Sequence, residues 1–403
     1  MRKKFDVAVL GGGVVGHTLA LLLARERLKV ALVQASRQQA AGDHSPDIRA
    51  YALNTASRSL LEGLRVWPDA AGAVTPVQQM VVSEPWAEPP AHLTFRGSEG
   101  HQEPVGPVGP VGSVGEHGGA LAWIVDVAAL ENTLAQAVRF QGGIDLVDAD
   151  PALLAGGPET LPQAALTVIC EGKRSSHRDA LGFGYARKPY PHTAVAARLD
   201  CTLPHGGTAR QWFLDGEVLA LLPMNGPQGQ QVALVWSVEH ARAAELLALD
   251  SASFAQAVQA ACSSALGEMQ TVGTPAGWPL ELSQAERWVL PGWALAGDAA
   301  HAIHPLAGQG LNVGLADVAE LVRVLREREY WRPLGDLRLL RRYERARKAD
   351  VAAMSLLTDG LFGLFGHSDT RIQALRQWGL RNFDRMSPLK RWAAQQAMGR
   401  ASA

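Results

Sequence analysis

Residues 5–16 read FDVAVLGGGVVG, a short apolar run that ends in a cluster of glycines. The β-branched and apolar composition of residues 5–10 is typical of a buried parallel strand. Helix-forming residues with an apolar stripe follow over residues 18–27, and residues 29–33 read KVALV, which predicts a second strand. The pattern therefore predicts a strand–turn–helix–strand unit at the start of the chain.

The glycines of this turn occupy the positions of a dinucleotide-binding fingerprint, G-x-G-x-x-G. Gly11 would allow the tight turn, Gly13 would let the backbone approach a pyrophosphate, and Gly16 would let helix and strand pack closely. The first turn of the helix would offer free N–H groups and a partial positive charge to that pyrophosphate. The alternative is a glycine-rich turn that binds nothing, which this structural context disfavours.

The end of the second strand departs from the fingerprint. An acidic residue is expected there to bind the hydroxyls of a ribose, and this chain has Gln34. A glutamine amide can still hydrogen-bond a ribose, but without charge assistance. We therefore expect a retained site with weaker dinucleotide affinity, and tighter binding by a Gln34→Glu variant.

A second glycine-containing run lies in the last third of the chain. Residues 297–301 read GDAAH, and residues 293–297 are predicted to form a final buried strand, so Asp298 directly follows the end of that strand. A carboxylate at Asp298 could accept hydrogen bonds from the hydroxyls of a sugar-alcohol chain.

Residues 305–314 continue this run as PLAGQGLNVG. Gly308 and Gly310 would let the backbone lie close to a flat ring, because no Cβ intervenes. A helix predicted over residues 312–325 would point its positive N-terminal end at an electron-rich carbonyl of a flavin ring. The two distant runs together predict a split flavin site.

Two histidines in this region raise the alternative of a metal site. His301 and His304 are spaced for one face of a helix, but no cysteine or acidic ligand set accompanies them. We therefore predict no metal. His301 is expected to pack or hydrogen-bond inside the protein, and His304 to line the pocket.

Bulk properties narrow the class of protein. The chain has 403 residues, enough for a large core or two subdomains, and a net charge of −1, which does not suggest nucleic acid as a partner. Its 3 cysteines show no metal-type spacing and are expected to be small buried hydrophobes in a reducing compartment. No apolar stretch is long enough to predict a membrane-spanning helix.

The remaining sequence predicts further elements. Alternating apolar residues between 190 and 240 indicate antiparallel strands that could cover a substrate pocket. Residues 251–270 and the chain from 334 onward are predicted to be mostly helical. Residues 104–115 form a Pro-Val-Gly repeat that is predicted to be an exposed loop.

Taken together, these runs resemble the flavoprotein aromatic hydroxylases, and within that group the ubiquinone-biosynthesis hydroxylases. Besides the two glycine runs, five segments support the resemblance: DIRAYAL at 47–53, LALLP at 219–223, VWS at 235–237, YERARK at 343–348 and TDGL at 358–361. The last two lie outside the flavin site and favour the ubiquinone branch.

The resemblance implies an α/β fold with three parts. These are a discontinuous Rossmann-like FAD-binding domain (1–75, 120–180 and 285–330), an interleaved antiparallel-sheet substrate domain (76–119 and 181–284) and a helical C-terminal region (331–403).

The resemblance also implies how FAD would bind. Asp298 would hold the ribityl chain, the backbone of Leu311 and Asn312 would meet the flavin pyrimidine, and Arg49 would lie near the flavin. The full set of expected cofactor-binding residues is Gly11, Gly13, Val15, Gly16, Gln34, Arg49, Asp298, Gly308, Gly310, Leu311 and Asn312. Arg49, His304 and Pro305 are the candidate pocket residues.

Three further positions leave more than one interpretation open. Glu171-Gly172 matches the family's Asp-Gly motif with a longer acid, so its contact with nicotinamide and pyrophosphate stays open. Arg174 and Arg178 could equally form ordinary surface ion pairs, an alternative that is less favoured for Arg49.

The implied activity is hydroxylation of a polyprenyl phenol intermediate of ubiquinone biosynthesis. NADH or NADPH would bind transiently as reductant, and O2 would react through a flavin C4a-hydroperoxide. The cofactor would supply the difficult chemistry, and no side chain need act as a nucleophile.

The implied location is cytoplasmic, with two interpretations of the C-terminal segment. Residues 371–400 hold seven basic residues and one acidic residue with aromatic and leucine side chains between them. This composition suits an interfacial helix on the inner face of an anionic membrane. It suits equally a helix packed on the protein with a solvated basic face.

Two kinds of rival function remain at this stage. One is another flavin enzyme, a reductase, oxidase or halogenase, although no halogenase-type lysine and tryptophan motif is present. The other is a flavin-poor scaffold subunit of a ubiquinone-biosynthesis complex, which the departures at Gln34 and Glu171 favour and the intact run from Gly297 to Asn312 disfavours.

Overall fold

A computed structural model describes most of the chain, namely residues 4–35, 47–84, 91–97, 119–149, 157–226, 229–302 and 310–366. The strands are β1 (Phe5–Leu10), β2 (Val30–Ala35), β3 (Ala50–Leu53), β4 (Val74–Val77), β5 (Gln79–Glu84), β6 (Ala91–Arg96), β7 (Ala122–Asp126), β8 (Ile144–Ala149), β9 (Ala164–Ile169), β10 (Tyr185–Cys201), β11 (Thr208–Phe213), β12 (Val218–Met224), β13 (Gln231–Glu239), β14 (Met269–Ala285), β15 (Val289–Leu290), β16 (Trp293–Leu295) and β17 (His301–Ala302). The α-helices are α1 (Val14–Arg25), α2 (Thr55–Gly63), α3 (Val127–Phe140), α4 (Ser176–Ala180), α5 (His240–Leu247), α6 (Ser251–Ala261), α7 (Gly310–Arg326) and α8 (Leu337–Gly366). Short 3-10 turns lie at Pro158–Thr160 and Gly297–Ala299.

A six-stranded sheet in the order β15-β16-β9-β1-β2-β8 carries the predicted nucleotide-binding unit. Its strands pair in parallel except for β15, which pairs antiparallel with β16. Helices α1, α3, α7 and α8 bury their apolar residues against this sheet in one continuous core.

The topology of this sheet determines where a ligand can bind. The chain runs from β1 outward to β2 and β8, and then returns to β9 on the other side of β1. In sheets of this kind, ligands occupy the crevice at the carboxyl ends of the strands where the strand order reverses. The turns that follow β1 and β9 meet at that position.

The second large sheet has eight strands, in the order β17-β14-β10-β13-β12-β11-β5-β6. All neighbours in it are antiparallel except β11 and β5. Alternate residues of β10 and β13 face α5 and α6, so one side of the sheet is covered by helices. The opposite side contacts a three-stranded sheet in the order β3-β7-β4 through a smaller apolar cluster.

The α/β class and the antiparallel strands between 190 and 240 are confirmed. The division into three parts with the boundaries given above stays a prediction, although the six-stranded and eight-stranded sheets draw their strands from interleaved parts of the sequence. The segments at 104–115 and 371–400 lie outside the described residues.

The predicted helix over residues 251–270 is wrong in its second half. Helix α6 ends at Ala261, and strand β14 begins at Met269. The backbone turns between them, with positive φ at Ser263 (52°), Ser264 (54°) and Gly267 (75°). Three residues in the left-handed region within five positions cannot continue a right-handed helix.

Strand β14 itself was not predicted. Its 17 residues, MQTVGTPAGWPLELSQA, include two prolines and two glycines, and most side chains are half-buried or exposed. The strand departs from regular pairing with β10 at two places, which accommodates those residues. Among the described residues, the structure contains no helix that is long and apolar enough to cross a membrane.

Candidate active site

The glycine turn adopts the geometry that the fingerprint requires. Gly11 has a φ of +117°, and a Cβ at this position would collide with the carbonyl oxygen of Cys170 at the end of β9. A Cβ at Gly16 would collide with the carbonyl oxygen of Gly11. These two glycines are therefore fixed by close backbone packing inside the protein.

Gly13 serves a different purpose in the same turn. No described atom lies within 4 Å of the position that a Cβ at Gly13 would take. Gly13 is also the N-cap of α1, and it has no side chain with which to cap the first amide groups of the helix. An open approach to uncapped helix amides suits a diphosphate, so this part of the site fits FAD.

Gln34 lies directly beside the turn. An ideal Cβ at Gly12 would be 2.7 Å from Cβ of Gln34. The Gln34 side-chain amide Nε2 lies 3.4 Å from Oδ1 of Asp148, its register partner on β8, and its Oε1 lies 3.4 Å from Nε2 of His17. The carboxylate that is absent from the end of β2 is thus present on the neighbouring edge strand.

The second half of the predicted site is a tight turn after β16. Gly297 has a φ of +64° and opens the 3-10 turn Gly297–Ala299. Burial raises the pKa of the Asp298 carboxyl, and the positive charges of Lys173 and His301 partly offset this shift. Asp298 is half-buried at the end of a strand of the six-stranded sheet, as predicted.

Val15 brings the two halves of the site together. Its side-chain Cγ atoms lie 3.2 and 3.3 Å from an ideal Cβ on Gly297, and Cγ2 lies 3.0 Å from an ideal Cβ on Gly314 in α7. A larger residue at Gly314 would push α7 away from α1, and one at Gly297 would push the turn away from α1. The first turn of α1 and the start of α7 therefore lie against one another across a sequence separation of almost 300 residues.

A buried carboxylate that the sequence reasoning missed holds the second turn. Asp317 on α7 is 0% exposed, and its Oδ2 accepts hydrogen bonds from the Gly297 amide at 2.9 Å and from His301 Nε2 at 2.7 Å. Its Oδ1 accepts one from Arg347 Nε on α8 at 2.8 Å. The available signal was an acidic residue on the apolar face of a predicted helix, which requires buried partners.

The position of His301 is explained by its hydrogen bond to Asp317. His301 lies in strand β17 and not in a helix, so the helical spacing that raised a metal site is wrong. It is 1% exposed, it donates to Asp317, and its ring lies 5.0 Å from that of Trp288. The expectation that His301 packs and hydrogen-bonds inside the protein is confirmed.

The side chain of Asn312 is used to fix the start of α2. Its Nδ2 donates to the carbonyl oxygen of Ala52 at 2.8 Å, and its Oδ1 accepts from the Asn54 amide at 3.0 Å and from Ser57 Oγ at 2.7 Å. The segment that follows Arg49 is therefore tied to the first turn of α7. The predicted contacts of Leu311 and Asn312 with a flavin concern their backbone groups, which this arrangement leaves at the start of the helix.

Arg49 is paired with a neighbouring acid. Its Nη2 lies 2.6 Å from Asp47 Oδ2, and the Arg49 side chain is 48% exposed. This pairing raises the pKa of Arg49 and, with the other contacts of Asp47, lowers that of the carboxyl despite its partial burial. Arg198 on β10 donates to the carbonyl oxygen of Asp47 at 2.6 Å, so the eight-stranded sheet supports this segment.

Glu171 has both carboxylate oxygens occupied. It accepts hydrogen bonds from Ser175 Oγ at 2.6 Å and from His177 Nδ1 at 2.7 Å. Burial opposes ionisation, but these hydrogen bonds prevail and lower the pKa of Glu171. The acid thus closes the 171–177 turn, and its contact with a nicotinamide stays a prediction.

Arg178 is not a surface residue, so the surface ion-pair interpretation is wrong for it. It is 0% exposed, its Nη2 lies 2.8 Å from Asp179 Oδ1, and its guanidinium carbon lies 3.5 Å from the centre of the Tyr185 ring. Tyr185 in turn donates from its hydroxyl to the carbonyl oxygen of Asp298 at 3.0 Å. Arg174 is exposed.

Of the predicted site residues, Gly11, Gly13, Val15, Gly16, Gln34, Asp298, Gly310, Leu311 and Asn312 surround the carboxyl end of β1 or the two turns that Val15 joins. Gly310 is the first residue of α7. His304, Pro305 and Gly308 lie outside the described residues. The cofactor contacts of all of these residues stay predictions.

Comparison with known proteins shows which family this chain belongs to. A sequence profile for the FAD binding domain matches residues 131–356. The ubiquinone hydroxylase UbiL of Rhodospirillum rubrum is 31% identical over 398 residues, which cover 98% of this chain and 90% of that protein. The 3-demethoxyubiquinol 3-hydroxylase of Escherichia coli is 30% identical over 410 residues, which cover 98% of each.

The fold is shared more widely. The crystal structure of p-nitrophenol 4-monooxygenase PnpA from Pseudomonas putida DLL-E4 superposes with a TM-score of 0.70 over the full length of both chains, at 15% sequence identity. The scaffold alternative is not favoured by these similarities. The chain belongs to the ubiquinone-biosynthesis hydroxylase family of FAD-dependent monooxygenases.

Proposed function

We propose that this monooxygenase hydroxylates the ring of a polyprenyl phenol intermediate of ubiquinone biosynthesis, with NAD(P)H as electron donor and O2 as oxygen donor. The observation that carries the proposal is the meeting of the two predicted half sites around Val15. It joins the turn that is predicted to bind a diphosphate and the turn that is predicted to bind the flavin, which are far apart in the sequence. The names of the full-length relatives supply the substrate class.

The residues of this chain would hold FAD in an extended form. Gly13 and the uncapped start of α1 would take the pyrophosphate, and Gln34 would hydrogen-bond the ribose. Asp298 would accept hydrogen bonds from the ribityl chain. The positive end of α7, at Leu311 and Asn312, would stabilise negative charge on the reduced ring.

FAD, when bound, supplies the electron transfer and oxygen activation of the reaction. The protein supplies placement and the exclusion of water. Arg49 lies at the edge of the segment that Arg198 holds against the eight-stranded sheet, and we place it on the flavin side of the pocket together with His304 and Pro305. On the face of the eight-stranded sheet that points away from α5 and α6, Tyr190, Ala194 and Leu280 form a small apolar cluster, which suits a prenylated ring.

The first experiment records the visible absorption spectrum of the purified protein before and after loading with FAD. We expect flavin absorption bands and oxidation of NAD(P)H that a prenylated phenol stimulates more than the same phenol without its prenyl chain. Protein that stays colourless after loading, or NAD(P)H oxidation that is indifferent to the phenol, would contradict the proposal.

We also propose a cytoplasmic location with peripheral membrane contact through residues 371–400. A polyprenyl phenol is held in the lipid bilayer, so the enzyme must meet it at the surface. The basic and aromatic composition of this segment suits anionic lipid. An alternative role for the same segment is to contact other enzymes of a ubiquinone-biosynthesis complex.

Liposome flotation tests the membrane contact. The full chain should float with vesicles that contain anionic lipid, and a chain truncated at Gln373 should remain at the bottom while still binding FAD. Equal flotation of the two proteins would contradict the proposed membrane contact of residues 371–400 and would leave the proposed hydroxylase activity unaffected.

A further inference from the structure

The turn that carries Asp298 has a buried amide that requires a partner. Gly297 is fully enclosed and has a left-handed backbone conformation, with a φ of +64°. A buried N–H without an acceptor is costly, so the partner of this amide determines whether the turn is stable. That partner is Oδ2 of Asp317, at 2.9 Å.

The same carboxylate is held rigidly from two other elements. His301 of β17 donates to Oδ2 at 2.7 Å, and Arg347 of α8 donates to Oδ1 at 2.8 Å. Trp288 covers the His301 ring at a centroid distance of 5.0 Å. Because donors from three elements occupy both oxygens, the carboxylate is held in one orientation in the core.

The opposite side of the turn is fixed as well. The carbonyl oxygen of Asp298 accepts a hydrogen bond from the Tyr185 hydroxyl at 3.0 Å. The backbone of Asp298 is therefore held between the Gly297 amide on one side and its own carbonyl on the other. Asp317 and Tyr185 thus fix the backbone from which the Asp298 carboxylate projects.

We propose that Asp317 is the positioning residue of the Gly297–Asp298 turn, and that His301 and Arg347 act through it by fixing its carboxylate. An apolar residue of similar size would pack equally well on α7 but could not accept the Gly297 hydrogen bond. A buried ion pair is a weak source of stability, so its function here is to specify one conformation of the turn. The inference rests on the proposed contact of Asp298 with the ribityl chain.

The test compares Asp317→Asn with Asp350→Asn. Asp350 also pairs with Arg347, with Oδ2 2.6 Å from its Nη1, but its side chain is 68% exposed, so it is a matched control on the same cation. Each protein is deflavinated and titrated with FAD. Its melting temperature without flavin and the visible circular dichroism of the reloaded flavin are also measured.

We expect Asp317→Asn to weaken FAD binding about tenfold or more and to change the circular dichroism of the bound flavin. Asparagine has one acceptor oxygen where aspartate has two, so its NH2 group must face either the Gly297 and His301 donors or the Arg347 donor. Asp350→Asn should match the wild type in both. A lower melting temperature for Asp317→Asn with unchanged FAD affinity and dichroism would overturn the inference, because Asp317 would then be merely structural.

A second pair of variants tests the positioning role of Asp317 if Asp317→Asn does not fold. His301→Gln keeps an N–H donor for Asp317, whereas His301→Leu removes it. We expect near wild-type FAD affinity for the first and a clear loss for the second, and equal affinities would overturn the inference.

Asp298→Asn, measured in parallel, separates this inference from the assignment on which it rests. If Asp298→Asn does not weaken FAD binding, the ribityl contact is wrong and the inference falls with it. If Asp298→Asn weakens binding and Asp317→Asn does not, only the positioning role is wrong.

Discussion

At the scale of single residues, the glycine turn combines tightly packed positions with one open position. Gly11 and Gly16 are fixed by backbone contacts inside the protein, whereas Gly13 opens outward. The spacing of the glycines predicted these roles, because each one follows from the strand–turn–helix geometry. What the spacing could not show is which carboxylate lies near the turn, since Asp148 comes from a distant edge strand.

We predict that Gly13→Ala weakens FAD binding about tenfold while the melting temperature of the flavin-free protein stays near that of the wild type. The φ of Gly13 is −84°, which alanine adopts readily, so the added methyl group would obstruct only the approach of the pyrophosphate. Titration of deflavinated protein with FAD measures this. Gly63→Ala, also without a described neighbour within 4 Å, is the control and should change neither quantity. An unchanged FAD affinity for Gly13→Ala would mean that the pyrophosphate lies elsewhere.

A second prediction concerns the missing acid. Gln34→Glu would place its carboxylate beside that of Asp148, whose Oδ1 lies 3.4 Å from the present amide nitrogen. Like charges in register oppose one another, so the tighter binding expected from the sequence alone is revised, and the single variant Gln34→Glu should gain little affinity for FAD. The double variant Gln34→Glu with Asp148→Asn should bind about fivefold more tightly than Asp148→Asn alone, in line with a charge-assisted hydrogen bond. Equal affinities for the two proteins would exclude position 34 from the ribose contact.

The lowered pKa of Glu171 leads us to predict that the free energy of unfolding depends on pH. Its folded pKa lies below the ordinary value of 4.5, so the stabilisation is present above pH 4.5 and is lost as the pH falls through the folded pKa. Glu171→Gln should therefore lose less stability on acidification than the wild type. Thermal melting of the flavin-free protein at a series of pH values measures the slopes. Glu159→Gln, at an exposed carboxylate, should keep the wild-type slope, and a wild-type slope for Glu171→Gln would contradict the assignment.

At the scale of elements, strong apolar periodicity was predictive and irregular elements were not. Strand β1, helix α7 and the strands between 190 and 240 follow from their patterns because each has one or two buried faces. Strand β8 carries Asp145 and Asp148 and lies at the edge of its sheet, so its sequence lacks that pattern. Strand β14 is interrupted by prolines and glycines, and only its pairing with β10 makes it a strand.

The contact between α8 and the six-stranded sheet gives an element-scale prediction. Tyr343 of α8 is 0% exposed, and its hydroxyl donates to the carbonyl oxygen of Leu295 in β16 at 2.8 Å. Tyr343→Phe should lower the free energy of unfolding by about 1–2 kcal/mol, because a buried carbonyl oxygen loses its donor. Denaturant unfolding measures this. Tyr330→Phe, at a side chain that is 97% exposed, should have no effect, and equal stability of the two variants would contradict the contact.

At the scale of the whole molecule, the site exists only because distant segments converge. The turn after β1 and the turn after β16 are adjacent through Val15, and α8 secures the second turn through Arg347 and Asp317. The sequence motifs predicted both turns, but they could not predict the buried hydrogen bonds of Asp317 that hold the second turn. The signal for Asp317 was only its acidic side chain on the apolar face of a predicted helix, and its partners Gly297, His301 and Arg347 belong to no common motif.

The central claim is that this chain uses FAD to insert an oxygen atom into a prenylated phenol. Mass spectrometry of the phenol after turnover with FAD, NAD(P)H and isotopically labelled O2 tests it most directly. We predict a hydroxylated product that carries one labelled oxygen atom on its ring. Consumption of NAD(P)H and O2 with an unlabelled, unmodified phenol would contradict the claim and would identify the protein as a flavin oxidase.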